Sequence, residues 1–357
     1  MSTPVPASQD AASGRKVTFG LINTFGQPPQ WAVPWKQRYD ALLEQIEWID
    51  RDLDIDGVYV SEHHFYGDGY LPNPMVMLAA IAARTSRVEI GTNLVQAPLW
   101  NAVRLAEDAL LVDALSGGRL RLGLGLGYYH QEFEGFGRSL KHRAGLIEET
   151  VEILRLAFAG EPFEYHGTHY DFGTIHVTPG PVRPGGPPIW MGGFVPKAIE
   201  RAARLADGFL EFDPGTMSTY FDACEALGTP AEQQRANVTY WAIIADDPEK
   251  AFAEAGEHWM HLLNEYIVRD AYTARQPPLR EPYTDPKKAL ADGLVLLADG
   301  DQAVEIFNKD VDRGAVDIQL VTLMPGEPVD QVAERLQYLN DKVIPRVKAA
   351  THPAAGA

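Results

Sequence analysis

Eight short runs rich in β-branched, aromatic and aliphatic residues, separated by longer segments of helical period, limit the folds open to this chain more than any other feature. They are VTFGLIN (17–23), GVYVSE (57–62), VEIGTNLV (88–95), LRLGLGL (120–126), PIWMGG (188–193), GFLEFD (208–213), VTYWAII (238–244) and VDIQLVTL (316–323). Nearly every gap between them holds an amphipathic segment. In HRAGLIEETVEILRLAFAG, Ile147, Val151, Leu154 and Phe158 fall on one helical face, and Gly160 and Pro162 end the helix. Repeated strand–helix units with almost continuously apolar strands imply a parallel sheet covered by helices, and eight units are the number that closes a (β/α)8 TIM barrel. An open doubly wound sheet is the alternative.

Two gaps exceed a single helix, so insertions are expected after strands four and seven, at 160–187 and 246–300. The first reads as a small hairpin turning near Gly167 with a proline-rich return, the second as a helix followed by a Pro-rich stretch; each serves as a lid or an oligomer contact. No composition shift splits the chain, which predicts one domain over 17–350 behind a frayed tail at 1–16.

Charge and cysteine content exclude several functions. The 357 residues carry 31 Lys+Arg against 49 Asp+Glu, a formal net charge of -18 that repels nucleic acid and anionic lipid. One cysteine, Cys224, forms no disulfide within the chain and supplies no thiolate metal set. The N-terminal stretch has no apolar core behind a basic start, and no later run has the length of a bilayer span, so a cytoplasmic protein without membrane contact is expected.

In a barrel the active site gathers where strands end and loops begin. The second strand ends in VYVSEHHFYGDGY, with Glu62, His63 and His64 followed by Phe65, Tyr66 and Tyr70. Neighbours on a strand point to opposite faces, which separates the two histidines and disfavours a chelating pair; no HExxH occurs, and no metal is expected. A histidine beside a glutamate at a barrel mouth suits proton transfer or hydrogen bonding to a bound ring. RLRLGLGLGYY fails the dinucleotide pattern, because Tyr128 stands where a third glycine is required. Its alternating Leu and Gly describe a strand stripped of side chains on one face, for a flat ring or for tight barrel packing. MGGFVPK opens a helix at Pro196, whose free N–H groups with Lys197 suit one phosphate, or merely make a tight turn.

SEHHF, IGTNLVQAP, AEDALLVDALSGGRLRLGLGLGYYHQEFEGFG, MGG followed by PKAIERAARLADGF, and the PGPV step together resemble the bacterial luciferase-like flavin-dependent monooxygenases, from about residue 17 to residue 213 and more loosely beyond. That resemblance implies a (β/α)8 barrel that takes reduced FMN from a separate flavin reductase, binds O2 at flavin C4a and passes the peroxide to an apolar organic substrate such as an aldehyde or ketone. It implies a homodimer through helices of the first barrel half. His63 is similar to the family's catalytic histidine at the flavin edge, and Glu62 to the carboxylate near the ring that helps set its protonation. Asn93 and Leu94 resemble the residues under the isoalloxazine, where the family often has a non-proline cis peptide. Gly125, Leu126 and Tyr128 resemble one wall of the flavin site, and Gly193, Phe194 and Val195 the phosphate loop. The chain departs from the pattern where the luciferase α subunit has a cysteine and an arginine, here Gly125 and Leu126, and where a phosphate-loop Ser or Thr is replaced by Phe194 or Val195. Relatives on the same barrel transfer hydride with a deazaflavin, which is the alternative activity; a non-catalytic flavin-binding protein is a third.

Overall fold

The computed structural model describes residues 16–212, 215–271 and 281–350. The expected tail, apart from Lys16, and part of the Pro-rich stretch in the second insertion lie outside the described residues. In chain order the strands are β1 (Thr18–Asn23), β2 (Gly57–Val60), β3 (Glu89–Thr92), β4 (Val95–Gln96), β5 (Leu120–Gly125), β6 (Phe163–His166), β7 (Asp171–Ile175), β8 (Ile189–Gly192), β9 (Gly208–Leu210), β10 (Asn237–Ile244), β11 (Leu296–Ala298) and β12 (Asp317–Leu323). The helices are α1 (Trp35–Asp52), α2 (Pro74–Ala82), α3 (Ala102–Ser116), α4 (His130–Gly135), α5 (Arg143–Phe158), α6 (Pro196–Leu205), α7 (Thr216–Ala226), α8 (Pro248–Ile267), α9 (Pro286–Ala291), α10 (Gly300–Arg313), α11 (Val329–Lys342) and α12 (Ile344–Ala349).

All pairings in the main sheet are parallel, in the order β11-β10-β12-β1-β2-β3-β5-β8-β9, with β4 extending the pairing of β5. The sheet curls, and an isolated parallel bridge between Phe209 and Ala236 links the β9 end to the chain entering β10. An open doubly wound order is therefore not what forms. The expected third strand is interrupted: β3 and β4 flank Asn93 and Leu94, whose peptide bond is cis. The hairpin expected near Gly167 is β6 with β7. Strand β11 and helices α4, α7, α9, α11 and α12 were not anticipated by the periodicity.

Helices form where apolar spacing meets an N-terminal cap. Asn101 accepts from the backbone N–H groups of Val103 and Arg104, and Gly117 closes α3 at φ 69°, a conformation that favours glycine. Asp299 and Gln302 cap α10 reciprocally. On α1, Leu42, Ile46 and Ile49 are all buried against the sheet, each stabilising the contact by about 2 kcal/mol. Because the strands are parallel, their C-terminal ends share one rim, and the loops that follow meet there.

Below that rim the concave side of the curled sheet is polar. The Arg121 guanidinium lies 4.4 Å from the ring centroids of both Tyr59 and Trp190 and bonds Glu89 at 2.6 Å and Asp317 at 2.7 Å. Gln319 donates to Asp317 at 2.7 Å and accepts from the Asn93 side-chain amide, so a hydrogen-bonded column runs from the strand starts to the rim.

Candidate active site

Strand β2 stops at Val60, so Glu62, His63 and His64 stand in the loop beyond it rather than on the strand. His63 is buried, and its Nδ1 lies 3.0 Å from Glu132 Oε1. The same oxygen accepts the His64 backbone N–H at 2.7 Å. Glu132 belongs to α4 and is fully buried. Burial alone would push its carboxyl up, but the hydrogen bond and charge of His63 and the His64 N–H outweigh burial and hold it below the usual range.

The second carboxylate serves the second histidine. Glu62 accepts from His64 Nε2–H at 3.0 Å and Trp100 Nε1–H at 2.8 Å on one oxygen, and from the Gln96 backbone N–H at 2.6 Å on the other. This corrects the expectation that Glu62 sets the protonation of His63: that partner is Glu132, and Glu62 is committed to holding His64, Gln96 and Trp100. The two histidines do separate, each on its own carboxylate. Among the described residues no group of three or more His, Cys, Asp or Glu side chains is arranged around a common metal position.

Four tyrosines surround the His63 ring. Tyr66 stacks on it with centroids 4.9 Å apart, while Tyr70, Tyr128 and Tyr266 meet it edge-on at 4.9, 5.6 and 5.4 Å. The Tyr128 hydroxyl lies 3.5 Å from His63 Nε2, the Tyr66 and Tyr128 hydroxyls are 3.4 Å apart, and those of Tyr70 and Tyr266 are 2.8 Å apart. Burial raises all four phenols, Tyr70 to about 12, so each keeps its proton at neutral pH.

Tyr266 comes from α8, in the second insertion. Arg269, just past that helix, lies 3.8 Å from the Tyr66 ring centroid and 5.6 Å from that of Tyr129. The helix is fastened over the rim by His261 Nε2–H donating to Asp68 at 3.0 Å and His258 Nδ1–H donating to the Pro325 carbonyl at 3.0 Å, its ring 3.9 Å from Trp31. This face of α8 thus lies against the His63 ring.

The glycine strand is close-packed rather than open. A Cβ on Gly123 would collide with the Thr92 carbonyl oxygen, and one on Gly125 with the Leu94 side chain. One on Gly192 would come within 3.2 Å of Leu94. Leu94 therefore occupies the space expected for a flat ring, and its half-exposed side chain becomes the apolar surface at the mouth, next to Phe212. Asn93 is buried, its Oδ1 without a partner. Leu126 and Tyr128 follow β5 half-buried.

Gly193 packs on Ala198, while Phe194 and Val195 are exposed. The Val195 carbonyl accepts the N–H groups of Ala198 and Ile199, and Pro196 has none, which leaves Lys197 to present the free N–H of the first turn. Sequence reasoning missed Arg143. It is half-buried at the start of α5 with no ion pair among the described residues, and burial lowers its pKa. Arg201 of α6 bonds Glu148 of α5 at 2.7 Å. The rim thus offers an apolar surface at Leu94, hydrogen-bonding groups around His63, and a helix N-terminus carrying Lys197; these are kinds of contact a flavin mononucleotide uses.

The family model described as luciferase-like monooxygenase matches residues 17–315. The oxygenase component of flavin-dependent trigonelline monooxygenase from Acinetobacter baylyi is 30% identical over 235 residues, 62% of this chain and 64% of the relative, so the match spans less than two thirds of that protein. Among solved structures, monooxygenase RslO1 from Streptomyces bottropensis superposes with a TM-score of 0.78 at 26% identity, covering 92% of this chain and 99% of the other. The oxygenating constituent of 3,6-diketocamphane monooxygenase from Pseudomonas putida, in complex with FMN, shares the fold with a TM-score of 0.74 at 20% identity, covering 95% and 100%.

Proposed function

The chain belongs to the luciferase-like monooxygenase family, and on that premise we propose that it is the oxygenase of a two-component FMN-dependent monooxygenase acting in the cytoplasm. It takes reduced FMN from a separate reductase and oxidises an apolar organic substrate such as an aldehyde or ketone. The observation that carries this reading is the His63–Glu132 pair, enclosed by phenols at the same rim as the Leu94 platform. The likeness to a fold-mate solved with FMN supports the choice of cofactor.

Reduced FMN supplies two electrons to O2, one oxygen atom entering the product and the other leaving as water. Leu94, over Gly125 and Gly192, offers the ring its apolar face, with Asn93, Leu126 and Tyr128 at the edges. Gly193, Phe194 and Val195 give the phosphate a backbone cradle; Lys197 and Arg143 replace the hydroxyl and cation absent from the loop. His63 Nε2 holds or releases a proton at the reacting edge. The phenols of Tyr66 and Tyr128 donate to a substrate carbonyl, and the Tyr70–Tyr266 contact keeps water out. A second copy of the chain would cover the exposed Val76 on α2 and Leu111 and Leu115 on α3, giving the homodimer.

The test mixes the protein with reduced FMN without oxygen and then adds 18O2 with a panel of aldehydes and ketones. Tight binding followed by label in the product is expected. Tight binding of reduced deazaflavin with no oxygen uptake would replace this reading by hydride transfer. Flavin binding with no turnover of any substrate would leave a non-catalytic flavin protein.

A further inference from the structure

Glu132 has no role in the sequence reading, yet among the described residues it is the one carboxylate that touches His63. Its Oε1 takes two donors, His63 Nδ1–H at 3.0 Å and the His64 backbone N–H at 2.7 Å, while its Oε2 has no hydrogen-bond partner. The side chain is fully buried, so water cannot replace either donor. An ionised carboxylate accepts and does not donate, so the hydrogen that joins it to the imidazole belongs to Nδ1. In the neutral ring the lone pair then sits on Nε2, the nitrogen facing the Tyr128 hydroxyl at 3.5 Å.

We propose that Glu132 is the positioning residue for His63: through one oxygen it locks the imidazole in the Nδ1–H tautomer and leaves Nε2 as the nitrogen that exchanges protons at the reacting edge. The backbone bond to His64 is what makes the lock rigid. That bond fixes the Oε1 position independently of His63, so the ring cannot turn without giving up its only partner at Nδ1. The groups around His63 agree with this assignment: Tyr66, Tyr70, Tyr128 and Tyr266 are all protonated phenols and none competes for the Nδ1 proton as a charged acceptor. The role of Nε2 rests on the monooxygenase reading; the tautomer does not.

The arrangement also separates charge from geometry. In Glu132→Gln the amide oxygen can stand where Oε1 stands and keep both hydrogen bonds, with the amide nitrogen on the side where nothing donates to Oε2. In Glu132→Leu both bonds go. The experiment is 15N NMR of the histidine side chains in the cofactor-free protein, with His63→Gln used to assign the His63 signals, followed by kcat and reduced-FMN affinity for each variant. Wild type and Glu132→Gln are expected to show neutral His63 protonated at Nδ1. Glu132→Leu is expected to lose that tautomer and about 100-fold in kcat while its reduced-FMN affinity is retained. A wild-type His63 protonated at Nε2 would overturn the proposal. So would a Glu132→Leu protein with an unchanged tautomer and kcat, or one whose kcat and flavin affinity fall together. If Glu132→Leu does not fold, loss of the Nδ1–H tautomer in Glu132→Gln overturns it and retention supports it. A wild-type protein with the expected tautomer but no oxygenation of any substrate would sink the monooxygenase reading and leave the role of Glu132 standing.

Discussion

Two buried charge clusters occupy opposite ends of the same strands, and they are built to different standards. At the strand starts Arg121 is sandwiched between two aromatic rings and ion-paired to Glu89 and Asp317, with Thr18 and Gln319 completing the contacts to Asp317. At the rim, around His63, Glu132 Oε2, Gln96 Oε1 and Asn93 Oδ1 are all buried without partners. Unpaired buried polar atoms cost stability and collect where a ligand or a reaction uses them. The contrast teaches that the lower cluster holds the curled sheet together and the upper one is free to do chemistry.

That division can be broken from either side. Arg121→Leu should have the largest effect on stability, about 3–5 kcal/mol in chemical denaturation, because two carboxylates lose their buried cation. The refolded fraction should keep its affinity for reduced FMN; lost affinity with intact stability would erase the distinction. Gly125→Ala should come next. The added methyl displaces Leu94, costing about 1–3 kcal/mol and weakening reduced-FMN binding about tenfold, read by titration. Tyr266→Phe removes the hydroxyl that meets Tyr70 and should cost about 1 kcal/mol, seen as a severalfold change in kcat/KM for a carbonyl substrate at unchanged melting temperature.

The smallest effect is in the acid limb of stability. The Glu132 carboxyl lies below its ordinary value, so the unfolded state binds its proton more readily than the native one. Its contribution is complete above the ordinary carboxylate range and is lost as pH falls through the lowered native value. Glu132→Gln should therefore unfold less steeply than wild type as the pH is taken from about 6 to about 3, followed by circular dichroism. An identical acid limb would place Glu132 outside the native charge balance.

The fold was legible because each strand and each long helix buries a periodic face: the positions of β1, β5, β10, β12, α1, α3 and α5 all follow from apolar spacing. The position of His63 at the rim was legible from its place after a strand. Its partner was not. HQEFEG is a six-residue helix without a full amphipathic turn, and nothing in its spacing says that Glu132 folds back onto residues 63 and 64. Glu62, adjacent in sequence, was the nearer candidate and belongs to His64 instead. Tyr266 escaped for a similar reason, since it reaches the rim through helix packing across a long stretch of chain. The glycines of β5 were correctly seen as demanding close approach, but what approaches Gly125 is Leu94.

The claim on which the rest depends is that His63 carries out proton chemistry at a flavin site. The direct measurement is a single turnover of wild type and His63→Ala, each preloaded with reduced FMN, mixed with 18O2 and the best carbonyl substrate of the panel. Wild type should place label in the product. His63→Ala should bind reduced FMN as tightly and lose about 100-fold or more in the rate of labelled product. A His63→Ala protein that forms labelled product at the wild-type rate would contradict the account.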